Sequence, residues 1–256
     1  MAKNKKFKTG IVNSYLWVMN AFVKKKKLIQ PGNYKFRETF DNSEGFWERW
    51  NNGWFVNKGS DERNRYSYDA KNVHPKNGKL ELNLVAQYTQ GTDPFAVTYP
   101  FSGVMFYSKE TYKFGRFRIS FKVDNVKQTT FAAWLKDPIK DINETDIFEL
   151  FNTRKKIKAE FTNHWGTNYV KDHYKNTSSR KSKMTQRLTT IELEWKPDKL
   201  TWFVDGVPVK ILYSNIPQVE MIFIINFGTF QNTPDGGKKL PAHGNYSAEF
   251  HEISVF

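Results

Sequence analysis

Residues 143–150, NETDIFEL, place three acids, Glu144, Asp146 and Glu149, in an otherwise apolar stretch. On a regular strand side chains alternate between faces, so 144, 146 and 148 share one side and Glu149 has the wrong parity. A β-bulge that inserts one extra residue around Ile147-Phe148 restores the alternation and turns all three acids to one face. Ile147 or Phe148, with Leu150, then fills the core beneath. Like charges on one face of a sheet repel and cost stability. The use that fits such a cluster is glycoside hydrolysis. A retaining enzyme holds a nucleophile and a general acid/base roughly 5–5.5 Å apart across the scissile bond. The backbones at 144 and 149 are expected on the order of 13 Å apart, at ~3.3 Å per residue over four effective steps. Two Glu side chains leaning inward close most of that gap. Asp146, between them, can hydrogen-bond one partner, and its charge helps hold another carboxyl protonated. The competing reading is an acidic, solvent-exposed strand face.

Strands must carry these acids, and the sequence supplies them. KLELNLVAQ (79–87) alternates Leu80, Leu82 and Leu84 against Glu81, Asn83 and Val85, and GRFRISFKV (115–123) alternates Phe117, Ile119 and Phe121 against Arg118, Ser120 and Lys122. TTFAAWLKD, IKAEFTNHW, TIELEW, KLTWFVDG, VPVKIL, EMIFIINFG and AEFHEISVF read as further strands. Pro197-Asp198, Asp205-Gly206 and Asp235-Gly236-Gly237 mark turns between them. No long helical period appears after residue 36. Many strands at short spacing predict an all-β fold, a β-jelly-roll sandwich with a concave substrate cleft. Residues 152–190 and 231–247 read as long loops.

The 256 residues suffice for one large domain with a sizeable core, and 22 Phe, 12 Tyr and 8 Trp suit a sheet protein or a stacking groove. Cysteine is absent, which excludes disulfides, Cys-based zinc sites and thiol catalysis. Net charge is +14, unevenly distributed. Residues 1–35 hold nine Lys and no acid, leaving +5 for the rest, and 152–190 carries ten Lys/Arg against Glu160 and Asp172. The chain therefore divides into a basic N-terminal extension over 1–35 and a catalytic domain over 36–256. KNKKFK followed by IVNSYLWVMNAFV has some features of a leader, but Asn13, Ser14 and Asn20 interrupt the apolar run and no small-residue cleavage site follows. An appended strand or helix, or a basic tether, fits it better. Thirteen apolar-run residues are too few to cross a bilayer.

The ordered blocks resemble glycoside hydrolase family 16, jelly-roll endoglycanases that include laminarinases, agarases, porphyranases and κ-carrageenases. ETDIFE is similar to the family's bulged E-x-D-x-x-E strand. FRETFD resembles its opening strand, KNGKLELNL the N-G-x-L-x-L strand, and FSGVMFYSKETYKFGRFRISFKV the Ser-Gly to aromatic-Gly-Arg-Phe block. FAAWLKD resembles the strand before the catalytic one, IELEWKPDKLTWFVDG a later hairpin, and MIFIINFG the strand after it. The similarity spans roughly residues 36–256. It implies net retention through a covalent glycosyl-enzyme, with Glu144 as nucleophile, Asp146 as assisting carboxylate and Glu149 as acid/base.

The resemblance also places Trp134 in the cleft beside the nucleophile, with core packing as the alternative. The parity of Trp134 with Ala132 and Lys136 favours the cleft. His164 and Trp165 fall on the next strand, where substrate contacts occur. They alternate, so one of them faces the sugar, and His164 is favoured. Trp54 in NNGWFVN is a cleft aromatic or a hydrophobic plug, and Asn226 reaches the cleft from the IINFG strand. His173 and His251 are expected to lie outside the chemistry. The family often binds calcium through an Asp of its last strand; here His251 stands in that place, so no metal or other cofactor is expected.

The basic 152–190 segment points to an anionic or sulfated galactan as substrate through charge-assisted contacts, with a neutral β-1,3(4)-glucan as the alternative. The sequon Asn143-Glu144-Thr145 adjoins the nucleophile, and a glycan there would obstruct the cleft. That argues against a eukaryotic secretory route and for an extracellular or virion-associated bacterial or viral monomer. Two rival classes remain. A jelly-roll lectin keeps the groove without needing all three acids, and a nucleic-acid binder would use the basic tail, with steep salt dependence.

Overall fold

The computed structural model describes residues 9, 12–13, 28, 30–53, 67–86, 89–90, 98–99, 101–123, 129–139, 142–152, 157–166, 173–182, 187–229 and 245–256. In chain order the strands are β1 (Phe36–Arg37), β2 (Trp50–Asn52), β3 (Ser67–Tyr68), β4 (Val73–Lys76), β5 (Lys79–Val85), β6 (Thr89–Gln90), β7 (Thr98–Tyr99), β8 (Ser102–Tyr112) and β9 (Gly115–Val123). They continue with β10 (Thr129–Lys136), β11 (Glu144–Asn152), β12 (Ile157–Gly166), β13 (His173–Ser182), β14 (Thr189–Lys196), β15 (Lys199–Val204), β16 (Val207–Leu212), β17 (Met221–Thr229) and β18 (Asn245–Val255).

Two antiparallel layers result. One runs β13-β12-β11-β10-β17-β8, and the other β5-β18-β9-β14-β15-β16. They join where Val85 of β5 pairs with Ser102 of β8. The alternating apolar positions meet between them: Leu80, Leu82, Leu84, Phe117, Ile119 and Phe121 of the second layer are fully buried. Phe121 lies 5.1 Å from Phe131 of β10 and 4.9 Å from Phe148 of β11, centroid to centroid, which packs the second layer directly beneath the acid-bearing strand. This is the all-β jelly-roll sandwich the periodicity predicts.

Three outward residues of β9 and β14, Arg116, Arg118 and Glu192, are also buried, and they are charged. Glu192 accepts from Arg116 Nε and Nη2 at 3.0 Å and from Arg118 Nε at 2.9 Å. Arg116 lies 4.1 Å from the centre of the Phe203 ring, and Arg118 4.9 Å from that of Phe256. A buried carboxylate is tolerable only when paired in this way.

Two expectations need correction. The 152–190 segment is not one long loop, since β12 and β13 occupy most of its described residues. β13, HYKNTSSRKS, is an edge strand with polar residues on both faces, so no apolar alternation marks it. The 231–247 stretch lies outside the described residues up to Asn245, where β18 begins. A short helix also appears, α1 (Ser43–Arg49), capped by Asn42 accepting from the Gly45 N–H.

The N-terminal extension touches the second layer. Asn13 Nδ2 donates to the Ile211 carbonyl at 3.0 Å, and its Oδ1 accepts from the Ile211 N–H at 2.8 Å. One side-chain amide thus satisfies both backbone groups of a residue on the outer edge strand β16, as a further strand would. Asn13→Ala is expected to lower the melting temperature by the loss of about 1–2 kcal/mol, measured by thermal unfolding. An unchanged value would show that the contact contributes nothing.

Candidate active site

The acids sit where the bulge puts them. On β10, Ala132 faces Glu149, Ala133 faces Phe148 and Trp134 faces Asp146, leaving Ile147 as the extra residue. On β12, Asp146 faces Thr162 and Glu149 faces Glu160, so three residues of β11 span two of its neighbour. Ile147 and Phe148 are both fully buried, whereas Glu144 and Glu149 are half-buried on the opposite face. The apolar pair pays for the irregularity by filling the core from two consecutive positions.

Register assigns the neighbours in three rows across the acid face. The first holds Lys175, His164, Glu144, Lys136 and Ile222. The second holds Thr177, Thr162, Asp146, Trp134, Ile224 and Tyr107. In the third are Ser179, Glu160, Glu149, Ala132, Asn226 and Met105. Six of the residues singled out from sequence therefore share one face: Glu144, Asp146, Glu149, Trp134, His164 and Asn226. Trp134 Nε1 donates to Asn226 Oδ1 at 3.0 Å, which fixes the indole against the sheet. Trp165 has the other parity; its ring stacks on Tyr174, with centroids 6.2 Å apart, on the reverse side. Trp54 lies outside the described residues.

The polar contacts separate the three acids. Lys136, itself buried, donates from Nζ to Glu144 Oε2 at 2.8 Å. Burial, and next the Glu144 charge, push the Asp146 carboxyl well above its usual range. Glu149 is also pushed well up, by burial first and then by Asp146, Glu144 and Glu160. The Trp202 indole donates to the Asp146 carbonyl at 2.8 Å from beneath the strand, and Thr145 Oγ1 donates to Asn163 Oδ1 at 2.8 Å. The β10–β11 connection is closed by Asp137, which receives the Asn143 side-chain amide at 3.2 Å and the Ile139 N–H at 2.9 Å.

Three participants escaped the sequence reading. Lys136 had only its parity with Trp134 to mark it, and a buried lysine is rare. Lys210 of β16 reaches between the layers to donate to the Phe161 and Asn176 carbonyls, both at 2.6 Å. Burial lowers its ammonium pKa to about 7, opposed by the Asp146 charge. His173, expected to stand apart, has Nε2 only 2.8 Å from Nδ1 of His164, whose Nε2 lies 3.1 Å from Asp146 Oδ2 and 3.5 Å from Glu144 Oε1.

Glu144, Asp146 and His164 offer ligand atoms within 4.8 Å of one another. The Lys136 ammonium already supplies positive charge there, so the set does not fit a divalent cation. On the last strand His251 pairs with Glu249 at 2.5 Å, and Glu252 accepts from Ser254 Oγ and lies 3.8 Å from Arg118. A calcium ion wants an uncommitted cage of oxygens, which these residues do not offer.

A jelly-roll whose central strand turns a bulged carboxylate triad to one face is the architecture of a carbohydrate-cleaving enzyme. Residues 60–249 match the sequence profile of glycosyl hydrolases family 16, and the chain belongs to that family; it is a glycosidase. Solved structures agree on the fold. The laminarinase catalytic domain from Thermotoga maritima MSB8 superposes with a TM-score of 0.72 at 15% identity, covering 87% of this chain and 97% of that one. The endo-β-1,3-glucanase from Pyrococcus furiosus gives 0.72 at 16% identity, with 91% and 98% covered. A Bacillus licheniformis β-glucanase gives 0.67 at 18% identity, with 88% and 99% covered. No curated protein matches the chain. Among the described residues no helix is long and apolar enough to cross a membrane.

Proposed function

We propose that the chain is a retaining, endo-acting β-glycanase in which Glu144 is the nucleophile, Glu149 the general acid/base and Asp146 the carboxylate that sets them apart. The observation that carries this reading is the divergence of two environments on one strand. Glu144 is paired with a cation, while Glu149 is surrounded by Asp146, Glu144 and Glu160 and has its pKa raised by burial. A cation-paired carboxylate is suited to attack the anomeric carbon. A carboxyl kept protonated is suited to deliver its proton to the departing oxygen. In the second step Glu149, now ionised, takes a proton from water as the glycosyl–Glu144 ester is cleaved, which returns the starting configuration. Trp134, held by Asn226, offers an apolar ring face for a sugar beside the acids, and His164 a polar contact to their first row.

For the substrate, Lys175, exposed and next to His164 across the sheet, favours an anionic or sulfated galactan. The similar structures, a laminarinase, an endo-β-1,3-glucanase and a β-glucanase, favour a neutral β-glucan as the second reading.

The test is reducing-end release from laminarin, mixed-linkage glucan, agarose, porphyran and carrageenans, with anomeric configuration followed by NMR at early times. One polymer should be cut with the β-anomer appearing first, and the rate should fall at high pH as Glu149 loses its proton. First appearance of the α-anomer would overturn retention. Binding without cleavage would move the chain to the lectins.

A further inference from the structure

The mechanism above leaves His173 unused, yet among the described residues it is His173 that meets the far nitrogen of His164. The two imidazoles are nearly coplanar, with 2° between planes, 4.9 Å between centroids and 2.8 Å between Nε2 of His173 and Nδ1 of His164. That separation of centroids is what an in-plane hydrogen bond between ring edges requires; face-to-face stacking would not bring two nitrogens so close in the ring plane. His164 points its other nitrogen at Asp146 Oδ2, 3.1 Å away. Three groups therefore form one line: His173, His164, Asp146.

A neutral imidazole carries one N–H, so the hydrogen bond at one nitrogen decides what the other can do. We propose that His173 is a positioning residue of the glycosidase: its Nε2–H donates to Nδ1 of His164 and thereby fixes the proton of His164 on Nε2, directed at Asp146. This deepens the reading of the site given above and rests on it. With that proton in place Asp146 receives a donor and keeps its negative charge, despite the burial that works against it. The charge of Asp146 is in turn one of the causes that hold Glu149 protonated. If the far bond were reversed, with His164 donating from Nδ1, its Nε2 would be an acceptor. Asp146 would then need to be protonated to meet it, and Glu149 would lose its largest source of charge repulsion.

The surroundings keep both rings neutral. Burial lowers the pKa of His164, opposed by Glu144 and Glu149 and helped by Lys175 and Lys136. Burial and His164 lower that of His173, with Glu144 opposing and Lys175 and Lys136 assisting. These groups, with Asp146, are the titratable and charged side chains that face the pair from β10, β11 and β13. His173 itself begins the edge strand β13 and is half-buried, so it can be replaced without emptying the core.

The experiment has two arms. In the full-length wild-type chain, 15N chemical shifts of the His164 ring should show Nε2 protonated and Nδ1 unprotonated near neutral pH. His173→Leu should allow the other tautomer, and His173→Gln, whose side-chain amide can still donate, should restore the first. The opposite tautomer in the wild type would overturn the proposal, whatever the enzyme's activity. In the second arm, His173→Leu should lower kcat by about tenfold, as for outer partners that orient a ring. It should also move the alkaline limb of the kcat/KM profile to lower pH, with KM little changed and His173→Gln close to wild type. An unmoved limb in His173→Leu, with His164 shifts unchanged, would overturn it. The expected tautomer in a chain that cleaves no glycan would leave the pair intact and sink the hydrolase reading instead.

Discussion

Replacing Glu149 by Gln is expected to lower turnover of polysaccharide by roughly 10²–10⁴-fold, the range for loss of a general acid, and at the same time to stabilise the protein. The first effect follows from the leaving group: a sugar alkoxide cannot depart unprotonated. The second follows from linkage. In the unfolded chain this carboxyl ionises near its ordinary value of 4.5, whereas burial and three neighbouring acids push it well up in the fold. Between those two values the folded state binds more protons than the unfolded one, so the wild type loses stability as pH rises through that window. Gln has the same shape and no such penalty. Its advantage should be absent near pH 4, grow above it, and reach about 2–4 °C in melting temperature per kcal/mol gained. In Glu149→Ala, azide should restore turnover of an activated aryl glycoside, because that anion attacks the glycosyl–Glu144 ester without a base. A variant that is fully active, or one less stable than wild type at neutral pH, would remove Glu149 from the acid/base role.

Lys210→Met carries the largest expected loss of stability. The ammonium satisfies two carbonyls of β12 and β13 from inside the sandwich, and each orphaned carbonyl costs about 1–3 kcal/mol. A loss of roughly 2–4 kcal/mol at neutral pH is therefore expected from urea unfolding. The pH dependence has a definite sign. The unfolded lysine titrates at its ordinary 10.5 and the folded one at about 7. Between these values the unfolded state holds the extra proton, so the wild type gains stability as pH rises. Methionine does not titrate, so the deficit of Lys210→Met should be larger at pH 9 than at pH 6, by about 3 kcal/mol. A deficit that does not change over that range would mean that Lys210 stays charged throughout.

Much of this architecture was legible because alternation is the physical signature of a sheet with one buried face. Leu80, Leu82 and Leu84, or Phe117, Ile119 and Phe121, announce both strand and orientation, and all six are buried. The bulge was legible for the same reason, since Glu149 breaks a parity that Glu144 and Asp146 set. What escaped lies where that signature fails. β13 is a polar edge strand, so neither its existence nor the position of His173 opposite Gly166, two residue pairs beyond His164, has a local marker. Lys210 sits in VPVKIL, where a lysine on a strand reads as solvated, and only the closeness of two layers distant in sequence turns it inward. Trp165 illustrates the opposite case: period two alone separates it from His164, and the register bears out that they face different sides.

The bulge has one more consequence. Because Ile147 and Phe148 are both buried, a chain shortened by Ile147 would run Glu144, Thr145, Asp146, Phe148, Glu149, Leu150 in strict alternation. Glu144, Asp146 and Glu149 would still face out together, and Phe148 and Leu150 would still face in. Ile147 is thus a removable spacer in the reading frame of the strand. The chemistry of the face and the length of β11 between its acids can change independently, at the expense of one buried side chain.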